Sequence, residues 1–216
     1  MTSTSHDLDH LVPGWLRARS IARGLPLPVA DHGGWRVDTG HPDELRRHVF
    51  ARPCAGLREL ALFIGEPGVF LKLAGAPDSL LALLTPRWEL DKVRWMMSCA
   101  TFAPPSRPLA PGYRLAVTSD GPVTVARIVA EDGALAASGY AAEEGGYFVY
   151  DRIVTEAAHG RKGLGSHVMA ALRGARQSLL SRQVLVATDE GRVLYSALGW
   201  HVVAPFATAR VRDSRA

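Results

Sequence analysis

The chain of 216 residues is 47% hydrophobic and 21% charged, a composition typical of a globular protein with one large domain or two small ones. No apolar run approaches the ~20 residues that span a bilayer, and the N-terminal segment lacks the basic and apolar regions of a signal peptide. We therefore expect a cytoplasmic protein with no membrane partner. The net charge of +4 comes from scattered arginines rather than a basic stripe, which argues against nucleic acid as a partner.

The two cysteines show no pattern of a metal site or of a disulfide framework. Cys54 and Cys99 belong to no CxxC pair and to no Cys/His cluster. We expect two core thiols and no bound metal.

Residues 1–103 predict an N-terminal α/β lobe. A proline near the start and a glycine at the end predict a helix over residues 13–24. Two more helices are expected, over 42–51 and 77–84. The remaining patterns indicate strands over 35–37, 57–64, 69–74 and 88–99.

A Pro-rich linker over 104–112 separates this lobe from residues 113–216. The second part begins as a β-meander and continues with alternating helices and strands, which makes the predicted fold α+β with a mixed sheet. Its strands are expected over 114–117, 123–130, 134–141, 147–155 and 183–188, and its helices over 166–180 and 189–198, with a last strand opening at Trp200.

The most informative segment runs from Asp151 to Arg176, where a strand leads into a Gly-rich basic turn and then into a helix. Glycines let the backbone approach a ligand closely, and the first amides of a helix have no partner within it, so the turn predicts a phosphate site. The order of its Lys and Ser does not fit a P-loop, and Val168 stands where a dinucleotide fingerprint needs its third glycine. A nucleotide-binding protein is therefore the third hypothesis.

Two motifs resemble those of the GNAT superfamily of acyl-CoA-dependent N-acyltransferases. Gly163-Leu164-Gly165 is similar to the end of motif A, although Gly160 stands where that superfamily usually has Arg or Gln. Downstream, Leu194-Tyr195-Ser196-Ala197-Leu198-Gly199-Trp200 resembles motif B. The resemblance covers the second half of the chain and implies a GNAT-like fold. It also makes the first half a candidate for a degenerate GNAT-like lobe, because only residues 118–122 stand where the superfamily has two helices.

The resemblance implies acetyl-CoA as the cosubstrate, with no metal. It assigns Tyr195 as the general acid that protonates the leaving thiolate. Backbone amides at the end of the strand would bind the pantetheine arm, and those of the turn the pyrophosphate. These predicted cofactor-binding residues are Ile153, Val154, Thr155, Gly160, Arg161, Lys162, Gly163, Leu164, Gly165 and Ser166.

The general base is the least determined part of the predicted site. The position that often holds a Glu in the superfamily is Val149, which is apolar. Asp151 is our candidate, with Tyr147, Glu143 and Glu144 as alternatives on or near the same strand. A water relay, or an acceptor that is already neutral, is an equally open solution.

The leading hypothesis is an N-acetyltransferase that moves an acetyl group from acetyl-CoA to a primary amine of a small molecule or a protein. The alternative is a catalytically weak, CoA-binding regulatory module, favoured by Gly160 and by the missing carboxylate. We also expect a homodimer. The sequence specifies neither the amine acceptor nor the length of the acyl chain.

Overall fold

The structure is a computed structural model that describes residues 3–212, with side chains from residue 7 onward. The first half contains α1 (Ser3–Ala22), β1 (Val29–Asp31), β2 (Gly34–His41), β3 (Glu44–Phe50), α2 (Ala55–Phe63), β4 (Val69–Leu73), α3 (Pro77–Leu81), β5 (Trp88–Leu90) and β6 (Arg94–Cys99). The second half contains β7 (Tyr113–Asp120), β8 (Val123–Ala130), β9 (Leu135–Glu144), β10 (Tyr147–Thr155), a 3-10 turn (Ala157–His159), α4 (Leu164–Gly174), β11 (Arg182–Ala187), α5 (Asp189–Ala197) and β12 (His201–Val211).

The strands form one mixed sheet of twelve strands, as the α+β prediction requires. Its order is β1-β2-β3-β4-β12-β6-β11-β10-β9-β8-β7, and β5 pairs with β12 beside this path. Two pairs, β3 with β4 and β10 with β11, are parallel, and the other pairs are antiparallel. Each parallel pair is connected through a helix, as parallel strands require.

The two halves exchange strands at the centre of this sheet. Strand β6 of the first half lies between β11 and β12 of the second. In return, the last residues of β12 lie between β4 and β5 of the first half. The segment between the halves, 104–112, contains no helix or strand. Each half therefore completes its part of the sheet with a strand of the other.

Helices α1 and α4 cover opposite faces of the sheet at β10. Successive residues of a strand point to opposite faces, and Val149 packs in the cluster of α1 whereas Phe148 packs in that of α4. Leu11 and Leu16 of α1 are fully buried, and burial of such a side chain contributes about 1.5–3 kcal/mol. Because a tight turn joins β7 directly to β8, the helix that covers this face comes from the first half.

Two secondary-structure predictions are wrong. The segment 42–51 is not a helix, because residues 42–43 form the turn of a hairpin and β3 then pairs with both β2 and β4. The segment 57–64 is not a strand but part of α2, whose buried residues Leu57, Leu60 and Ala61 follow helical spacing. A continuous apolar run does not by itself distinguish a buried strand from a helix.

Three other elements are confirmed with different bounds. The first helix begins at Ser3 and continues through Pro13. The long strand predicted over 88–99 is divided into β5 and β6. Helix α4 ends at Gly174, where Glu143 accepts hydrogen bonds from the amides of Gln177 and Ser178 and so holds the following loop. Both cysteines are free, with Cys99 buried and Cys54 half-buried.

Candidate active site

Strands β10 and β11 separate at the end that leads into the Gly-rich turn. They pair only over Tyr147–Val149, opposite residues 182–184. Beyond that point β11 continues beside β6, while β10 continues beside β9 with a bulge between Asp151 and Val154. Arg152 in the bulge has a left-handed φ of 51°. The predicted pantetheine-binding residues Ile153, Val154 and Thr155 therefore lie along one side of an opening between two strands.

The Gly-rich turn presents a row of unused backbone amides. The N–H groups of residues 161–165 donate no hydrogen bond to other residues that the structure describes. Arg161 (φ 60°) and Gly163 (φ 75°) are left-handed and flank Lys162, and such turns gather successive amides into a concave anion site. Gly163 is also the N-cap of α4, whose dipole favours an anion there. The turn fits a pyrophosphate group.

The outer two of the predicted turn residues have amides that are already engaged. The N–H of Gly160 donates to the carbonyl of Ala157 at 3.2 Å, and that of Ser166 to the carbonyl of Gly163 at 3.1 Å. The amides that remain for an anion are those of 161–165.

Close packing fixes the position of this turn. A Cβ on Gly165 would lie 3.1 Å from Leu194 Cδ2 and 3.6 Å from Thr155 Oγ1, so α4 meets α5 and the end of β10 at this residue. Beside the turn, Lys162 Nζ donates to the hydroxyl oxygen of Tyr113 at 2.7 Å, and that hydroxyl lies 2.9 Å from His159 Nδ1. A positive charge is therefore held next to the free amides.

A cavity of about 980 Å³ extends from the turn into the first half. Thr155 and Gly165 lie along it in the second half, and Thr39, Arg47 and Lys72 line it from the first. Because both halves provide its walls, neither half alone contains the site.

Tyr195 lies on this cavity, where α5 places it. The side-chain oxygen of Thr188 caps α5 by accepting the N–H of Gly191 at 3.0 Å. A Cβ on Gly191 would come 3.1 Å from the Tyr195 ring, so this glycine leaves room for the ring. Burial raises the pKa of the Tyr195 phenol, and the negative charge of Asp151 raises it further. The phenol therefore keeps its proton at neutral pH.

Asp151 also lines the cavity, held by arginines. Its Oδ2 accepts a hydrogen bond from Arg23 Nε at 2.5 Å, and Arg19 Nε and Arg152 Nε each lie 3.4 Å from a carboxylate oxygen. Burial opposes ionisation of Asp151, but the three guanidinium groups outweigh it and hold the pKa of the carboxyl below its ordinary value. Asp151 is ionised at neutral pH and is a weak proton acceptor.

The alternative candidates for the base lie outside the cavity. Val149 is fully buried beneath α1, and Glu144 forms an ion pair with Arg17 at 2.8 Å. Glu143 accepts the hydrogen bonds that hold the loop after α4, and the Tyr147 hydroxyl donates to the carbonyl of His10. None of the four lines the cavity.

The sequence analysis missed the charged residues that the first half brings to the cavity. These include Arg19 and Arg23 of α1, Glu44 and Arg47 of β3 and Lys72 of β4. One signal was present, because a lysine inside the otherwise apolar strand Val69–Leu73 is uncommon in a core. The residues of β3 were hidden by the incorrect helix prediction.

Two further searches concern only the described part of the chain. It holds no group of three or more His, Cys, Asp and Glu side chains arranged for a metal ion. None of the helices within 3–212 has both the length and the apolar character needed to cross a bilayer.

Comparisons with known proteins were made by sequence and by structure. No family model matches the sequence, and no curated protein matches it. A GCN5-related N-acetyltransferase from Kribbella flavida has a similar structure, with a TM-score of 0.66 at 14% identity over 99% of this chain and 97% of that one. A GCN5-related N-acetyltransferase-like protein from Streptococcus suis 89/1591 has a TM-score of 0.62 at 11% identity, over 98% and 100% of the two chains.

A functionally unknown conserved protein from Staphylococcus epidermidis ATCC 12228 is also similar, with a TM-score of 0.56 at 9% identity over 86% and 93% of the chains. At such low identities the likeness establishes a fold and leaves the reaction to be argued from the site. The two sequence motifs and these structures agree: the chain has the fold of the GCN5-related N-acetyltransferases.

Proposed function

We propose that this protein is an acyltransferase that transfers an acetyl group from acetyl-CoA to a primary amine. The observation that carries the proposal is the row of free amides at 161–165, which ends at Gly165 on the wall of a large cavity beside two separating strands. The fold supports the same reaction class by analogy.

The residues present fit acetyl-CoA. The amides of 161–165 would hold the pyrophosphate, and Lys162 would add a charge beside it. The unpaired side of β10 at Ile153–Thr155 would hold the pantetheine arm. When bound there, acetyl-CoA supplies a thioester carbonyl that an amine can attack.

Tyr195 is proposed as the general acid. Its phenol lines the cavity and keeps its proton, because burial and the nearby charge of Asp151 raise its pKa. The phenol O–H would give its proton to the thiolate that leaves when the C–N bond forms and the C–S bond breaks. The amine proton leaves separately, because Asp151 is bound by arginines, stays ionised and is a weak proton acceptor.

The alternative is a CoA-binding module with little turnover. It is favoured by the ion pairs of Asp151 and of Glu44, because these engage the two half-buried carboxylates of the cavity. Release of free thiol from acetyl-CoA in the presence of an amine separates the two functions. Binding of CoA by calorimetry with no thiol release from any amine would support the module.

Substitution of Tyr195 tests the chemistry. Tyr195→Phe keeps the ring and removes the proton, so kcat should fall on the order of 10²-fold with little change in the dissociation constant of CoA. Tyr147→Phe is the matched control, because its hydroxyl donates to His10 outside the cavity. If the activity of Tyr195→Phe stays within about twofold of wild type, Tyr195 only packs in the cavity wall and is not the general acid.

The cytoplasmic location and the homodimer predicted from the sequence stay predictions.

A further inference from the structure

We propose that the amine acceptor carries an anionic group, a carboxylate or a phosphate, which binds to Arg19, Arg47 and Lys72 in the part of the cavity that the first half provides. This inference rests on the proposed function, because it specifies the substrate class of the same site.

The first observation is a pair of cations that share one carboxylate. Lys72 Nζ lies 2.7 Å from Glu44 Oε1, and Arg47 Nη2 donates to Glu44 Oε2 at 2.8 Å. Arg47 is only 3% exposed, and its Nε has no hydrogen-bond partner among the described residues. Burial lowers the pKa of Lys72, and the charge of Glu44 opposes this. One carboxylate does not neutralise two cations, of which Arg47 is buried and Lys72 half-buried.

The second observation is a similar imbalance around Asp151. This carboxylate faces three guanidinium groups, and Arg23 takes its strong hydrogen bonds. Arg19 lies farther away, at 3.4 Å, and its side chain is only 16% exposed. The guanidinium of Arg19 also lies 5.4 Å from the centre of the Trp15 ring. A buried guanidinium with one distant ionic partner retains donors for a ligand.

Five cations that are not exposed line the cavity, together with the two carboxylates Glu44 and Asp151. These cations are Arg19, Arg23, Arg47, Lys72 and Arg94. The other charged residues of the lining, Asp43, Asp91, Arg152 and Glu190, are exposed and therefore screened by water. Excess positive charge away from water is costly unless an anion compensates it. A bound anionic group supplies that compensation.

The proposed site for the anionic group of the acceptor differs in position from the pyrophosphate site of CoA. The pyrophosphate site lies at the N-terminus of α4, whereas Arg19, Arg47 and Lys72 belong to α1, β3 and β4 of the first half. Asp151 lies 3.4 Å from Arg19 and close enough to Tyr195 to raise the pKa of its phenol. An acceptor can therefore place its amine near Asp151 and Tyr195 and its anion among the cations of the first half.

This charge distribution selects among amines. Polyamines and aminoglycosides carry several positive charges, which the five cations repel. An amine that carries a carboxylate or a phosphate matches both the excess charge and the donor geometry of Arg47 and Arg19. The cations also disfavour a protonated amine, which helps the acceptor to become neutral before attack.

The test uses pairs of amines that differ in the anionic group. Thiol release from acetyl-CoA is measured with 4-aminobutyrate against butylamine, and with O-phosphoethanolamine against ethanolamine, and spermidine is added as a polycation. We expect kcat/KM to be at least about tenfold higher for one or both anionic members. The better of the two pairs identifies the anion as a carboxylate or a phosphate. Equal or better use of the uncharged amines or of spermidine would overturn the inference.

Variants locate the anion. Lys72→Gln and Arg19→Gln should each reduce the anionic preference at least about tenfold without weakening CoA binding. If Lys72→Gln does not fold, the double variant Glu44→Gln/Lys72→Gln replaces it in the test, because it removes both charges of this ion pair together. Arg114→Gln, on the exposed strand β7, is the matched control. A weaker affinity for CoA with an unchanged preference would assign the cations to the cofactor and contradict the inference.

A binding measurement separates this inference from the proposed function. The same amine pairs are titrated by calorimetry into the full-length protein loaded with CoA. If no amine releases thiol but the anionic members alone bind, the acyltransferase proposal fails and the anion site stands. If thiol is released without discrimination between pair members, the anion site fails and the acyltransferase stands.

Discussion

The two halves of the chain share one arrangement of strand, helix and parallel strand, yet only in the second do the two parallel strands separate. The first half has it in β3, α2 and β4, and the second in β10, α4 and β11. In each half a short helix follows, α3 after β4 and α5 after β11. A strand of the other half then pairs with the second parallel strand: β12 with β4, and β6 with β11. The degenerate GNAT-like first half, expected because only residues 118–122 stand where the superfamily has two helices, is consistent with this likeness and stays a prediction.

The halves differ in pairing and in the turn. Strands β3 and β4 stay paired to their last residues, Phe50 and Leu73, whereas β10 and β11 separate after Val149. Helix α2 begins after Cys54, which has an extended backbone and makes no side-chain cap, whereas α4 begins at the left-handed Gly163. A parallel pair that stays closed leaves no gap for a ligand. An anion site beside an open cavity thus requires both the separation of the strands and the glycine turn.

The largest effect should come from removing the first half. A chain that begins at Pro111 lacks β6, which pairs with both β11 and β12, and lacks α1, which covers the opposite face of β10. We expect no cooperative thermal unfolding by circular dichroism. Supplying residues 1–110 as a second chain should restore it. A stable fragment with full CoA affinity would show that the halves are independent.

The next effect tests the turn. Gly163→Val places a branched side chain at a φ of 75° in the turn at 161–165. We expect two charge-assisted hydrogen bonds to the pyrophosphate to be lost, of about 1.5–3 kcal/mol each, so that CoA binding weakens on the order of 10³-fold. Gly133→Val is the matched control, since Gly133 has a φ of 87° in the hairpin between β8 and β9 and similar open space. Calorimetry should show weaker CoA binding in Gly163→Val than in Gly133→Val. Equal affinities would contradict the proposal that residues 161–165 bind the pyrophosphate.

A smaller effect concerns the first half and its stability in acid. Burial lowers the pKa of His48 on β3 to about 4, although Asp31 lies 2.9 Å from its Nδ1 and opposes the shift. Between pH 6.5 and 4 the unfolded chain binds a proton that the folded chain does not. Stability should therefore be full above pH 6.5 and fall by about 3 kcal/mol toward pH 4.

His48→Gln should reduce this pH dependence, measured as the midpoint of urea unfolding at pH 7 and at pH 4.5. His32→Gln is the control, because His32 contacts the same Asp31 from an exposed position. An unchanged slope in His48→Gln would mean that other groups determine the acid sensitivity.

The smallest effect compares helix caps. Thr188→Ala removes the side-chain cap of α5 and should cost about 1 kcal/mol of unfolding free energy. Ser196→Ala, exposed on the same helix, should have almost no effect. Because Cys54 already provides no cap for α2, Cys54→Ala should cost less than Thr188→Ala. Equal losses at Thr188 and Cys54 would contradict this difference between the halves.

The second half was predictable because its signals are local. Alternating strands, the Gly-rich turn and Gly199 after α5 each specify their own conformation within a few residues. Of the residues singled out there, Tyr195 and Gly165 line the cavity, and their roles stay predictions. That the amide of Gly160 is engaged was not predictable, because it depends on the 3-10 turn that precedes it.

The first half was less predictable because its structure depends on distant partners. Residues 44–50 become a strand through pairing with β2 and β4, against the local pattern of a helix start. Lys72 and Arg47 meet over Glu44 only once β3 and β4 are adjacent. No periodicity in one segment shows such a cluster, so the sequence analysis missed the charged residues that the first half brings to the cavity.

The exchange of β6 and β12 has a consequence for how the chain folds. Strand β4 must pair with β12, which follows it by more than a hundred residues, so the contacts that complete this part of the sheet are non-local. Folding that relies on such pairings is slow and leaves apolar edges open for longer. During synthesis the first half emerges before β12 exists, and its part of the sheet stays incomplete until that strand has been made. The first half therefore depends on the second for its final structure.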